Sequence, residues 1–173
     1  MSEPPDVEGN PASGAVFSPC RTYRYRLWRR WDDGTSVAFL MLNPSTADAV
    51  ESDPTIRRCR GYAEAWGFGA LLVGNLFALR SPDPAALSSH PEPVGPANEG
   101  HLRAIVTQAG ETVAAWGHRG GLGDRGPEVA DILDTTLLAL DTTKDGHPVH
   151  PLYQPAGKTP TSFAYEGDEG STR

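Results

Sequence analysis

Cysteine is scarce, with two residues in 173, Cys20 and Cys59. That excludes a disulfide framework and suits a reducing compartment, so the expected location is the cytoplasm. No apolar run approaches the roughly 18 residues that cross a bilayer, which excludes a membrane-spanning helix. The opening MSEPPDVEGNPASG has neither the basic start nor the apolar stretch of a secretory signal. Gly117, Gly120, Gly121, Gly123 and Gly126 are followed by no lysine or Ser/Thr at P-loop spacing, and no dinucleotide motif opens a helix there. The run reads as a mobile loop, and no cofactor is expected. His147 and His150 lack a cysteine or carboxylate at ligand spacing, so no metal is expected either.

The chain is long enough for one domain with a real core, and its hydrophobic content of 38% fits a folded protein. Sixteen prolines and nineteen glycines imply many turns. The net charge of −7 argues against indiscriminate nucleic-acid binding. The charge is uneven, however: residues 20 to 80 hold nine arginines against six acidic residues, while both flanks are acidic. Arginine is the side chain suited to bidentate phosphate contacts.

Residues 1–19, rich in Pro, Gly, Ser and Glu, read as disordered. TYRYRLWRRW alternates Tyr23, Tyr25 and Leu27 with Arg24 and Arg26, a strand with one charged face. Asp32-Asp33-Gly34 signals a hairpin into the next strand. That strand, Val37 to Leu42, is an unbroken apolar run suited to burial on both faces. Pro44 must end it. Asp53 and Pro54 then start a helix to about Trp66, with Asp53 as N-cap. ALLVGNLF follows as a second core strand, completing a βαβ unit. A helix over about 98–109, a strand over 112–116 and a helix over 128–140 come next. The domain is expected to close at residue 154, with 155–173 a flexible tail.

Three polar loops stand out. Asn43, Pro44, Ser45, Thr46 and Asp48 follow the first core strand. Asn75 and Arg80-Ser81-Pro82-Asp83-Pro84 follow the second. His147-Pro148-Val149-His150-Pro151-Leu152-Tyr153 forms a rigid loop presenting His150 and Tyr153. Loops past the carboxyl ends of strands are where open α/β sheets bind ligands.

Taken with LNPSTAD, DPTIRRC, NLFALRSPDP, AWG and HPxHPLY, these loops resemble a bacterial and phage family known as domain of unknown function 1643, over about residues 20–154. More remotely, the order of elements is similar to the uracil-DNA glycosylase superfamily, in its mismatch-specific branch. That resemblance implies a three-layer α/β/α sandwich with a mostly parallel central sheet. It implies that Asn43 positions the attacking water, that Asn75 reads a base edge, and that His150-Pro151 supports the departing base. Leu42 stands where that superfamily has glycine, and Leu152 where serine commonly follows His-Pro.

Cutting an N-glycosidic bond needs a group that holds water at the anomeric carbon and a donor for the leaving base. Asn43 orients water, Asp48 or Asp53 accepts its proton, and His150 donates to the base. Pro44, Ser45, Thr46, Asn75, Phe77, Arg80, Pro151 and Tyr153 would line the substrate pocket, and Arg57, Arg58 and Arg60 would meet DNA phosphates. Each assignment has a plain rival: Asp53 caps a helix, Asp48 holds a turn, and Asn75 closes a strand end. The expected function is a glycosylase acting on an unusual, mismatched or modified base of DNA, as a monomer. The alternatives are a nucleoside or nucleotide hydrolase, or a non-catalytic nucleic-acid-binding module.

Overall fold

The computed structural model describes residues 6–165. Eight strands form one sheet: β1 (Asp6–Asn10), β2 (Ser13–Phe17), β3 (Arg24–Arg30), β4 (Ser36–Met41), β5 (Ala70–Asn75), β6 (Glu111–Ala114), β7 (Leu137–Ala139) and β8 (Thr161–Phe163). The helices are α1 (Pro54–Ala65), α2 (Ala86–Ser89), α3 (Asn98–Gln108) and α4 (Arg125–Ile132), with 3-10 turns at His118–Asp124 and Pro151–Tyr153. None of them is long and apolar enough to cross a membrane.

The strand order is β1-β2-β3-β5-β4-β6-β7-β8. Four of its seven pairings are antiparallel, and only β5-β4-β6-β7 run parallel. The expected mostly parallel α/β/α sandwich is therefore overturned: the sheet is mixed and mostly antiparallel, and its helices are few and short. Apart from the β3–β5 pairing, the antiparallel pairings bring in segments that composition assigns to the ends of the chain. Residues 6–17 are a hairpin, with Asn10 Oδ1 accepting from Ala12 N and Ser13 N in the turn. Residues 161–163 add the far edge strand, and Phe163 and Tyr165 are buried. Of the expected disordered start and flexible tail, residues 1–5 and 166–173 lie outside the described residues.

Three further expectations change. The Asp32-Asp33-Gly34 turn does not join neighbouring strands, because β5 lies between β3 and β4. The helix expected over 128–140 stops at Ile132, and Leu137–Ala139 is strand β7. The glycine run is packed rather than loose. A Cβ on Gly120 would stand 2.0 Å from Trp116 Cδ1, and one on Gly126 2.8 Å from its Nε1. Glycine here lets the chain pass close over the indole.

β4 organises the core. All six of its residues are buried, and they alternate between two clusters. Val37, Phe39 and Met41 pack with Ile56, Cys59, Tyr62 and Ala63 of α1. Ala38 and Leu40 pack with Leu102 and Ile105 of α3. This explains the unbroken apolar run, since a strand covered on both faces has no side for polar residues. The βαβ unit forms as expected, with β4 and β5 parallel from Ser36↔Ala70 to Met41↔Asn75. Gly74 admits α3 closely, because a Cβ there would meet Ile105 Cδ1 at 2.8 Å. Cys20 and Cys59 are both free.

β3 departs from simple alternation. Val16 pairs with Arg26 and Phe17 with Arg24, so Tyr25 is an extra residue, a β-bulge. The bulge separates the two arginines expected on one charged face. Arg26 Nε donates to His101 Nδ1 of α3 at 2.7 Å. Arg24 Nη1 donates instead to Ala47 O, beyond β4, at 3.0 Å.

His101 also stacks on Tyr25, with ring centroids 4.8 Å apart. Burial, and then the neighbouring Arg26 charge, push its imidazole down to about 4. Between that value and the ordinary 6.5 the unfolded chain binds a proton that the folded one refuses, so stability falls as pH drops through this window. The melting temperature is expected to fall between pH 7 and 5, and to fall less in His101→Gln, measured by thermal melts at both pH values.

Candidate functional site: a cleft at the ends of β4, β5 and β6

The parallel strands β4, β5 and β6 end together, and the chain beyond each shapes one cleft of about 590 Å³. That volume suits a small-molecule ligand. Met41 to Ser45 beyond β4, Asn75 at the end of β5, and Trp116 to Arg119 beyond β6 line it. Asp53, Thr55 and Ile56 bring in the start of α1, and His150, Leu152 and Tyr153 close it from the C-terminal loop.

Asp53 stands at the N-cap, with Oδ1 accepting from Ile56 N at 2.9 Å. The helix-cap reading of this residue therefore holds, and the capping residue also lines the cleft. Among the described residues no donor reaches its second oxygen. His150 is half-buried, and its Nδ1 accepts from Leu152 N at 3.2 Å. An imidazole that accepts at Nδ1 carries its proton on Nε2 when neutral. Burial lowers the His150 pKa, opposed by the negative charge of Asp53. The cleft thus holds a neutral N–H donor and a carboxylate with a spare oxygen.

Asn43 lines the cleft, but its amide nitrogen is committed to the protein. Nδ2 donates to Pro44 O at 3.1 Å, Leu79 O at 3.3 Å and Ser81 O at 3.0 Å. Only Oδ1 remains to meet a ligand or water. Asn75 is 2% exposed, and its Oδ1 accepts from Arg24 Nη2 at 3.3 Å. Its carbonyl accepts from Asn98 Nδ2 at 2.9 Å.

The cleft brings together Asn43, Pro44, Ser45, Asp53, Asn75, His150 and Tyr153 from the residues singled out in the sequence. Tyr153 is 84% exposed at the rim. The others lie outside the lining. Asp48 Oδ1 accepts from Val50 N and Glu51 N, a local turn bond that lowers its pKa. Thr46 is exposed, while Phe77 and Pro151 are buried in the protein. Arg80 donates to Arg21 O and stacks over Phe17. Arg57 donates to Ser52 O, Arg58 to Gln154 O, and Arg60 pairs with Glu64. Only Arg60 is ion-paired; Arg57 and Arg58 meet neutral carbonyls and keep their charge.

The sequence reading missed Arg24, Thr55, Trp116, His118 and Arg119 as lining residues. Arg119 and Trp116 follow a third parallel strand, so the strand-end rule that located Asn43 also reaches them. Arg24 carried no such signal, because the bulge that turns it inward is invisible to a period-2 pattern. Among the described residues no group of three or more His, Cys, Asp or Glu is placed to hold a metal ion.

Asn43 joins the loops after β4 and β5 through three donor contacts. Asn43→Asp removes the donor and sets a charge against three carbonyls. The expected loss is about 1–3 kcal/mol of stability, from leaving buried polar groups unmatched, read by urea denaturation.

A family model described as "Protein of unknown function (DUF1643)" matches residues 24–152. No curated protein and no solved structure matches the chain.

Proposed function

The chain belongs to the DUF1643 family, and from the chemistry of its cleft we propose that it is an N-glycosidase hydrolysing the base–sugar bond of a nucleotide. One observation carries this reading: a carboxylate with a spare oxygen, Asp53, and a neutral imidazole donor, His150, line the same cleft, close enough that the Asp53 charge acts on the imidazole. Hydrolysis of this bond needs those two functions on opposite sides of the scissile bond.

In this mechanism Asn43 Oδ1 and the Asp53 carboxylate hold a water at the anomeric carbon. The carbon–nitrogen bond breaks as the water oxygen bonds to carbon, and the water proton passes to Asp53. The electron pair leaves with the base as an anion, which accepts a hydrogen bond from His150 Nε2–H. A neutral imidazole suits this role, because it stabilises charge on the base without requiring acid pH. Tyr153, held on a rigid turn at the rim, offers an aromatic face for a base to stack on.

The remote resemblance to uracil-DNA glycosylases makes a base flipped out of DNA the first substrate to test. A second reading has its own support. Arg60, one of the α1 arginines expected to meet DNA phosphates, is paired with Glu64, and the whole chain is acidic. Both features favour a free nucleotide.

The test is mass spectrometry of bases released from modified and mismatched DNAs and from free nucleotides. Release is expected from one of the two classes. Asp53→Asn and His150→Ala are each expected to lower kcat by about 10²–10⁴-fold, the usual scale of general acid–base catalysis. Because burial holds His150 neutral, kcat is expected to stay flat between pH 8 and 6.5. No release from either class, or full activity in both variants, refutes the mechanism.

A further inference from the structure

Arg24 is 2% exposed, yet among the described residues no carboxylate lies within ion-pair distance of it. Its contacts are neutral: Nη1 donates to Ala47 O at 3.0 Å and Nη2 to Asn75 Oδ1 at 3.3 Å. Its Nε finds no acceptor, and neither does Asn75 Nδ2. Both residues line the cleft. The charges of Asp53 and Asp48 act on it only from beyond contact, and a buried guanidinium with no carboxylate touching it, beside a second unmatched donor, is a costly arrangement that proteins rarely keep. Burial lowers the Arg24 pKa to about 10, so the guanidinium still carries its charge at neutral pH.

We propose that Arg24 and Asn75 form an oxyanion subsite on the inner wall of the cleft, which a phosphate or carboxylate group of the ligand completes. This deepens the reading above and takes from it only that the cleft holds the ligand. The anion supplies a counter-charge at contact distance, which Asp53 and Asp48 do not, and the two unmatched nitrogens supply donors for its oxygens. Exposed Arg119, also in the lining, adds positive charge to the same cavity. A nucleotide bound here would be selected by its charged group as well as by its base.

The subsite has an internal imitation. In Asn75→Asp the oxygen that accepts from Arg24 remains, the unmatched Nδ2 disappears, and a negative charge sits against the guanidinium. The variant should therefore behave as if its anion were already bound.

The experiment is a thermal-shift and calorimetric titration of the whole chain. Inorganic phosphate, acetate, a nucleoside 5′-monophosphate and the matching nucleoside are each compared with chloride at equal ionic strength. The wild type is expected to gain melting temperature with phosphate or acetate, and the stronger of the two identifies the anionic group. The monophosphate should bind more tightly than the nucleoside. Asn75→Asp should melt higher than the wild type without ligand. Its anion affinity should fall by about ten- to a hundredfold, the worth of a charged hydrogen bond. Arg24→Met should lose the response as well. An unresponsive wild type, an Asn75→Asp protein that melts lower, or anion affinity preserved in Asn75→Asp overturns the subsite. None of these readouts involves base release, so the subsite and the hydrolytic reading fail separately.

Discussion

The Arg24 guanidinium lies out of water and reaches across the two segments that shape the cleft, the chain after β4 and the end of β5. Much of the surrounding structure serves this crossing. A bulge at Tyr25 turns the side chain inward, and Asn43 ties the β4 loop to Leu79 and Ser81 beyond β5. Arg29, from the same strand, donates to Asp48 O, Glu51 O and Ser52 Oγ and so holds the rest of the loop after β4. Two arginines of one strand thus fix the backbone that leads into α1 and delivers Asp53 to the cavity. Neutral carbonyls accept most of these bonds, which leaves the positive charge uncancelled inside the protein.

The middle of the fold was legible because its signals are local and strong. The apolar run of β4, the Asp53-Pro54 start of α1 and the glycine at Gly67, with φ of 87°, all fall where pattern and stereochemistry put them. The edges were not legible. β1, β2, β7 and β8 are three to five residues long and draw their order from pairing with neighbours. Such segments have too few residues to display a period; the glycines and serines of β1, β2 and β8 read as loop or tail, and Leu137–Ala139 reads as helix. The position of β5 between β3 and β4 was equally hidden, since a short turn favours adjacency but does not enforce it.

The same division runs through the site. Residues just past the apolar strands, Asn43 and Asn75, were found because a polar cluster follows an abrupt stop. His150 was found because prolines on both sides of its loop freeze it. The carboxylates separated only in three dimensions: Asp53 lines the cavity, and Asp48, five positions earlier, is spent on its own turn. The arginines of α1 look alike on a helical wheel, but Glu64 pairs with Arg60 alone, while Arg57 and Arg58 meet neutral carbonyls. Sequence reports which charges exist, and packing decides which remain free to meet a ligand.

Trp116 gives the cleft a dependence on distant chain. Its indole N–H, behind the cavity wall, donates to Tyr165 Oη at 2.7 Å, and that hydroxyl also meets His147 Nδ1 at 2.9 Å. Tyr165 follows β8, well past the family boundary at Leu152. The segment beyond that boundary is thus a buttress for the wall rather than an appendage. A chain trimmed at Leu152 would lose Phe163 and Tyr165, stripping the indole of its acceptor and uncovering Trp116. The smallest piece that keeps the cavity walled on every side accordingly runs through Tyr165.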